Sequence, residues 1–176
     1  MKYWEISGNL EDEKDGLLNY QRFQDAVCAV KDLFDNVFGL EIMNKIPFLV
    51  DNATAGSGYT PICTAVLGRI VIIKLNINNE DEEEKIIYQF AHELTHVVFR
   101  SYLGINKPKA NEEEEALCTA AALIALKKLY PSAFLKYEMH TATLVNSSYR
   151  EGVLIAKSFA YDLKQIRTRI EEIAIH

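Results

Sequence analysis

The 176-residue sequence predicts an α+β fold. Three observations predict it. Apolar residues near the start recur at three- and four-residue steps. Two β-branched runs flank a Gly-Arg pair in the middle. Helical periodicity then fills the second half. Residues 1–16 are polar and acidic, a lead-in with a short extended piece around Tyr3 to Ile6. From Leu17 to Phe38, the residues Phe23, Val27, Val30, Phe34 and Val37 mark one face of a helix, and Gly39 stands where a helix stops. A short apolar run, Ile46 to Val50, follows the break at Asn44-Lys45. Ala53 to Pro61, rich in Gly, Thr and Ser, reads as a loop. Ile62 to Leu67 and Ile70 to Leu75 read as two strands joined by a tight turn at Gly68-Arg69. If the second strand lies at a sheet edge, an extended peptide could pair with it.

Asn76 to Asp81 is a polar break in which Asn79 or Asp81 could cap the next helix. Glu82, Glu83 and Glu84 then occupy its first turn, where negative charge suits the helix dipole. This helix should run to about Tyr102, before Gly104. A second helix spans about Asn111 to Leu129, and Pro131 opens a third through about Val145. A long amphipathic helix with Ile155, Phe159, Ile166, Ile170 and Ile173 on one stripe closes the chain. No repeat or low-complexity linker divides the sequence, so residues 1–176 are expected to form one domain.

Composition narrows the function classes. A net charge of −6 argues against a broad nucleic-acid surface. Cys28, Cys63 and Cys118 form no C-x-x-C pair and read as free thiols of a reducing compartment. The N-terminus lacks the pattern of a signal peptide, and the longest uncharged apolar stretch, Ala116 to Leu126, is too short for a bilayer. A cytoplasmic protein without membrane contact is expected.

The chemistry is concentrated in Ala91-His92-Glu93-Leu94-Thr95-His96, an H-E-x-x-H sequence. Residues four apart on a helix share a face, so the imidazoles of His92 and His96 can bind one tetrahedral Zn²⁺. Glu93, one position on, points to the side of the ion, where it can take a proton from an activated water without being a ligand. The stripe Ile87, Phe90, Leu94 and Val98 would seat this helix on the core. The expected arrangement is zincin-like: a small, mostly antiparallel sheet packed by the H-E-x-x-H helix and further helices.

A catalytic zinc needs a third protein ligand. His176 is terminal, and His140 lies far along the chain from His96. The acidic run Glu112 to Glu115 is a better source, because it opens a helix that can fold back on the first. Glu113 heads an apolar stripe of Leu117, Ala120 and Ile124, which favours it. Glu112 leads to Ala116 and Thr119, and Glu115 to Cys118 and Ala122, so neither is excluded.

These residues resemble the ImmA/IrrE family of metallopeptidases. The matching stretches are Ile72-Ile73-Lys74-Leu75-Asn76, then Tyr88-Gln89-Phe90-Ala91-His92-Glu93-Leu94-Thr95-His96, then Glu113-Glu114-Glu115-Ala116 through Ile124. The resemblance covers about Ile62 to Ile124. Thr95 stands where the family has Gly, Leu117 where it has Asn, and Thr119 where it has Phe. It implies His92, His96 and Glu113 as ligands and Glu93 as general base. It also implies an intracellular protein substrate, with a transcriptional repressor as the suggested partner.

The expected activity is zinc-dependent hydrolysis of peptide bonds, with His140, Tyr149 or Arg150 as candidate stabilisers of the developing oxyanion. The alternative is a non-proteolytic regulatory or interaction module that keeps the metal, because a scaffold does not dictate its chemistry.

Overall fold

The computed structural model describes residues 3–6, 11–12, 16–17, 20–52, 60–77 and 83–175. Most of the expected loop over 53–61, the candidate caps Asn79 and Asp81, Glu82 and His176 lie outside them. The elements run β1 (Trp4–Ile6), β2 (Glu11–Asp12), β3 (Gly16–Leu17), α1 (Tyr20–Phe38), α2 (Leu40–Met43), β4 (Phe48–Asn52), β5 (Ile62–Val66) and β6 (Ile70–Leu75). They continue with α3 (Glu83–Leu103), α4 (Glu112–Leu129), α5 (Pro131–Thr143), α6 (Ser147–Ser158) and α7 (Leu163–Ile175). Among the described residues the fold is mixed α+β, with seven helices and a four-stranded mixed sheet beside the small β2–β3 pair.

The sheet has the order β1-β4-β6-β5. It departs from the mostly antiparallel sheet expected: β1–β4 and β4–β6 are parallel, and β5–β6 alone is antiparallel. The reason lies in the connections. Parallel neighbours need a crossover, and α1 supplies one between β1 and β4. A three-residue connection, Leu67 to Arg69, returns β5 directly against β6, with Val66 paired to Ile70. Leu67 and Gly68 adopt φ of 53° and 64°, and the Arg69 N–H closes the turn on the Val66 carbonyl at 3.1 Å.

This topology also corrects the edge strand. Among the described residues β6 has partners on both sides, and the edge strands are β1 and β5. Along β6, Val71, Ile73 and Leu75 are buried in alternation with partly exposed neighbours, as a period of two requires. Two amide clamps hold the exit of β6. The Asn52 side chain bonds both the N–H and the C=O of Ile77, and the Gln89 side chain does the same to Asn76. Gln89 lies on α3, so the second clamp ties the strand end to the helix that carries H-E-x-x-H.

The helices form as their apolar spacing predicts. Phe23, Val27, Val30 and Phe34 of α1 and Phe90, Leu94 and Val98 of α3 have no exposed surface. The helix α4 begins at Asn111, whose side-chain oxygen accepts the N–H of Glu114 at 2.9 Å. From Ala116 to Leu126 every residue of α4 is buried, because other helices surround it. The closest approach is to α6. A Cβ built on Gly152 would lie 2.6 Å from Thr119 Cβ and 2.8 Å from the Ala116 carbonyl oxygen.

The single long C-terminal helix that was expected is two helices. Ala160 and Tyr161 adopt φ of 50° and 58° between α6 and α7. The Tyr161 N–H reaches the Ala156 carbonyl and the Ala160 N–H that of Lys157, the two bonds of a Schellman motif. Asp162 then accepts the Lys164 N–H at 3.0 Å and caps α7. Among the described residues no helix is long and apolar enough to cross a membrane.

Candidate metal centre

His92, Glu93 and His96 sit in the middle of α3, all three buried. Their rings and carboxyl open onto a cleft of about 940 Å³. The imidazoles of His92 and His96 lie 5.2 Å apart, centroid to centroid, in an edge-to-face arrangement. Thr95, the residue between them that departs from the family pattern, turns its hydroxyl back to the Ala91 carbonyl at 2.8 Å and is fully buried. A hydroxyl back-bond of this kind satisfies the polar atom inside the helix itself.

The acidic run at the start of α4 divides its work. Glu113, the ligand favoured from the sequence, is not brought to the histidines. Its side chain is 45% exposed and pairs with Arg169 of α7 at 2.6 Å. The carboxylate that meets the histidines is Glu115. Its Oε2 lies 3.3 Å from His92 Nε2, and its Oε1 lies 3.6 Å from His96 Nε2. Tetrahedral ligands on bonds of 2.0–2.1 Å are separated by about 3.3 Å, so these spacings suit three donors around one ion. The hydrogen bond from His92 lowers the Glu115 carboxyl below its ordinary range, outweighing burial, with both imidazoles adding.

Glu114 supports the set from behind. Its Oε1 accepts a hydrogen bond from His96 Nδ1 at 2.8 Å, and its Oε2 takes Lys107 Nζ at 2.5 Å. A carboxylate on one imidazole nitrogen orients the ring and leaves the other, Nε2, available to a metal ion. Lys107 offsets the charge of this buried carboxylate.

Cys118 is a further donor, and sequence reasoning did not place it here. The buried cluster His92, His96 and Cys118 could hold a metal ion. Its sulfur lies 3.4 Å from His96 Nδ1, the nitrogen that Glu114 already engages. Burial, together with Glu114, Glu115 and Glu93, pushes the Cys118 thiol well above its ordinary value. Its sulfur sits on the Nδ1 side of His96, whereas Glu115 meets Nε2 of both imidazoles. His92 and His96 could therefore hold a metal ion with either Glu115 or Cys118 as the third donor. The signal in the sequence was the Glu115–Cys118–Ala122 stripe, which had remained an alternative.

Glu93 is close to both imidazoles without joining the set. Burial raises its carboxyl, both histidines oppose the shift, and Glu115 adds to it. Of the three candidate oxyanion stabilisers, Tyr149 and His140 line the cleft. The Tyr149 ring stands edge-on to His92 at 6.1 Å. Burial, with Glu115 and Glu93 adding, raises the Tyr149 phenol and keeps its proton available for donation. Arg150 points elsewhere and donates to the Leu144 carbonyl. The edge strand β5 also lines the cleft, through Ile62, Cys63 and Thr64. No protein-family model, curated protein or solved structure matches the chain.

Proposed function

We propose that this protein is a zinc-dependent peptidase of the zincin type, ImmA/IrrE-like, acting on an intracellular protein such as a transcriptional repressor. One observation carries the reading: the Glu115 carboxylate meets Nε2 of both His92 and His96, beside the buried Glu93. Two imidazoles and one carboxylate are a donor set that suits Zn²⁺ with one position left open. Bound there, the ion would supply Lewis acidity, easing loss of a proton from water and polarising the substrate carbonyl. Glu93 accepts the proton of the attacking water and delivers it to the leaving amine. Burial raises its carboxyl and makes it a stronger proton acceptor than an exposed glutamate. Tyr149 donates to the developing oxyanion. The edge of β5 that lines the cleft pairs with the extended substrate backbone. Glu93→Gln should retain zinc by elemental analysis and lose hydrolysis by about 10²- to 10⁴-fold. Undiminished turnover in that variant would sink the proposal.

Cys118 favours a second reading, a closed non-proteolytic metal module. If its sulfur completed the coordination, no position would remain for water. X-ray absorption at the zinc edge separates the two: a sulfur shell supports the closed module, and nitrogen and oxygen alone support the peptidase.

A further inference from the structure

The charge of the cleft is opposite to that of the chain. The protein carries 19 Lys and Arg against 25 Asp and Glu. The cleft is lined by five cations, Lys85, Arg100, Lys107, Lys109 and Lys136, against three carboxylates, Glu93, Glu114 and Glu115. All three carboxylates serve the metal centre, and a divalent ion there shifts the local balance further positive. The cations also stand at two ends. Lys85 lies two turns before His92 on α3, about 10 Å along its axis, and Arg100 about 12 Å beyond it. Lys136 of α5 joins the Lys85 end, where its exposed ammonium is 3.9 Å from the buried Glu84. Lys109 joins the Arg100 end. The cations have partners at both ends: Lys136 lies against Glu84, Lys107 against Glu114, and Arg100 donates to the Ile105 carbonyl.

Resting on the peptidase reading, we propose that the cleft selects acidic polypeptide segments, with Lys85 and Lys136 at one end and Lys109 at the other as specificity-determining residues. An extended chain covers about 10 Å in three residues, so the selected Asp or Glu lie about three residues from the bond held at the metal centre. The occupant is a polypeptide rather than a nucleic acid. The same cleft is lined by the edge strand β5, a geometry that suits a peptide backbone, and the chain's net charge of −6 opposes a long polyanion.

The test uses the full-length Glu93→Gln protein loaded with zinc and a fluorescein-labelled ten-residue peptide. The peptide carries Glu three residues either side of its centre, and a second carries Gln there. Fluorescence anisotropy at low salt should show the acidic peptide binding about three- to tenfold tighter, with the difference shrinking as salt is added. Adding Lys85→Gln and Lys136→Glu should abolish the preference, whereas Lys128→Gln, at the exposed end of α4, should keep it. Equal binding of the two peptides would overturn the proposal. So would a preference insensitive to the cleft lysines, or an oligonucleotide competing with the same lysine dependence. In parallel, the wild-type protein is incubated with a random peptide mixture and the products are sequenced by mass spectrometry. Cleavage without enrichment of flanking acids overturns the selectivity. Absence of cleavage, with acidic binding retained, overturns hydrolysis and leaves the selectivity standing.

Discussion

Glu113, Glu114 and Glu115 differ by about 100° of rotation each on one helix, and that rotation gives them three partners. Arg169 takes the first, Lys107 and His96 the second, and both histidines the third. Zinc content should therefore separate neighbours. Glu115→Gln should weaken zinc binding by at least about tenfold, while Glu113→Gln should bind zinc as tightly as the parent. Equal affinity in the two variants, measured by competition with a chromophoric chelator, would return the third ligand to open question. His92, Glu93 and His96 were legible because H-E-x-x-H defines its own geometry within one turn. The approach of Glu115 to the histidines was not, because an apolar stripe marks the inward face only on a helix with one such face, and α4 is buried on every side from Ala116 to Leu126. Leu117, Ala120 and Ile124 are indeed core residues, but so are Cys118 and Ala122, which lie below Glu115.

Elements were read best where a residue type marks their limits. Gly39, Gly104 and Asn111 end or begin α1, α3 and α4 as expected, with φ of 84° and 99° at the two glycines. The α6–α7 break escaped notice because an alanine occupies the left-handed position that glycine normally marks. An L-residue there costs roughly 1 kcal/mol. Ala160→Gly should therefore stabilise the fold by about 0.5–1 kcal/mol, although the same change inside a helix would destabilise it. A lower denaturant midpoint for Ala160→Gly would show that the Schellman geometry is wrong. Gly152 is the opposite case. Helix propensity favours alanine there, but the added Cβ collides with Thr119 and the Ala116 carbonyl. Gly152→Ala should cost about 1–3 kcal/mol by equilibrium unfolding, and a stabilised variant would mean that α4 and α6 pack less closely. Strand order was illegible for a different reason. Ile70 to Leu75 reads equally well as an edge or an interior strand, since pairing partners are decided by distant connections rather than local pattern.

For the whole molecule, tyrosine burial limits alkaline stability. Tyr88 is pushed up to about 12, chiefly by burial and despite its contact with Thr141. Tyr102 and Tyr161 reach about 12 through burial and hydrogen bonds to Glu171 and Glu138. A group whose folded value is raised stabilises fully below its unfolded value and loses that contribution as pH climbs toward the folded one. The denaturant midpoint should hold steady up to about pH 10 and fall between there and pH 12, with tyrosinate absorbance rising alongside unfolding. Tyrosines that titrate near their ordinary value while the fold persists would contradict this burial. The same burial separates two kinds of heritable change. The metal-facing residues come from two helices packed deep in the core, whereas the cleft walls come from a hairpin and from α5. The hairpin ends at Leu67, 89% exposed, and α5 exposes Leu135 and Met139. Mutation can lengthen that hairpin or recharge that wall without moving an imidazole. On the proposed function, a lineage built on this chain can change its substrate while its chemistry stays constant.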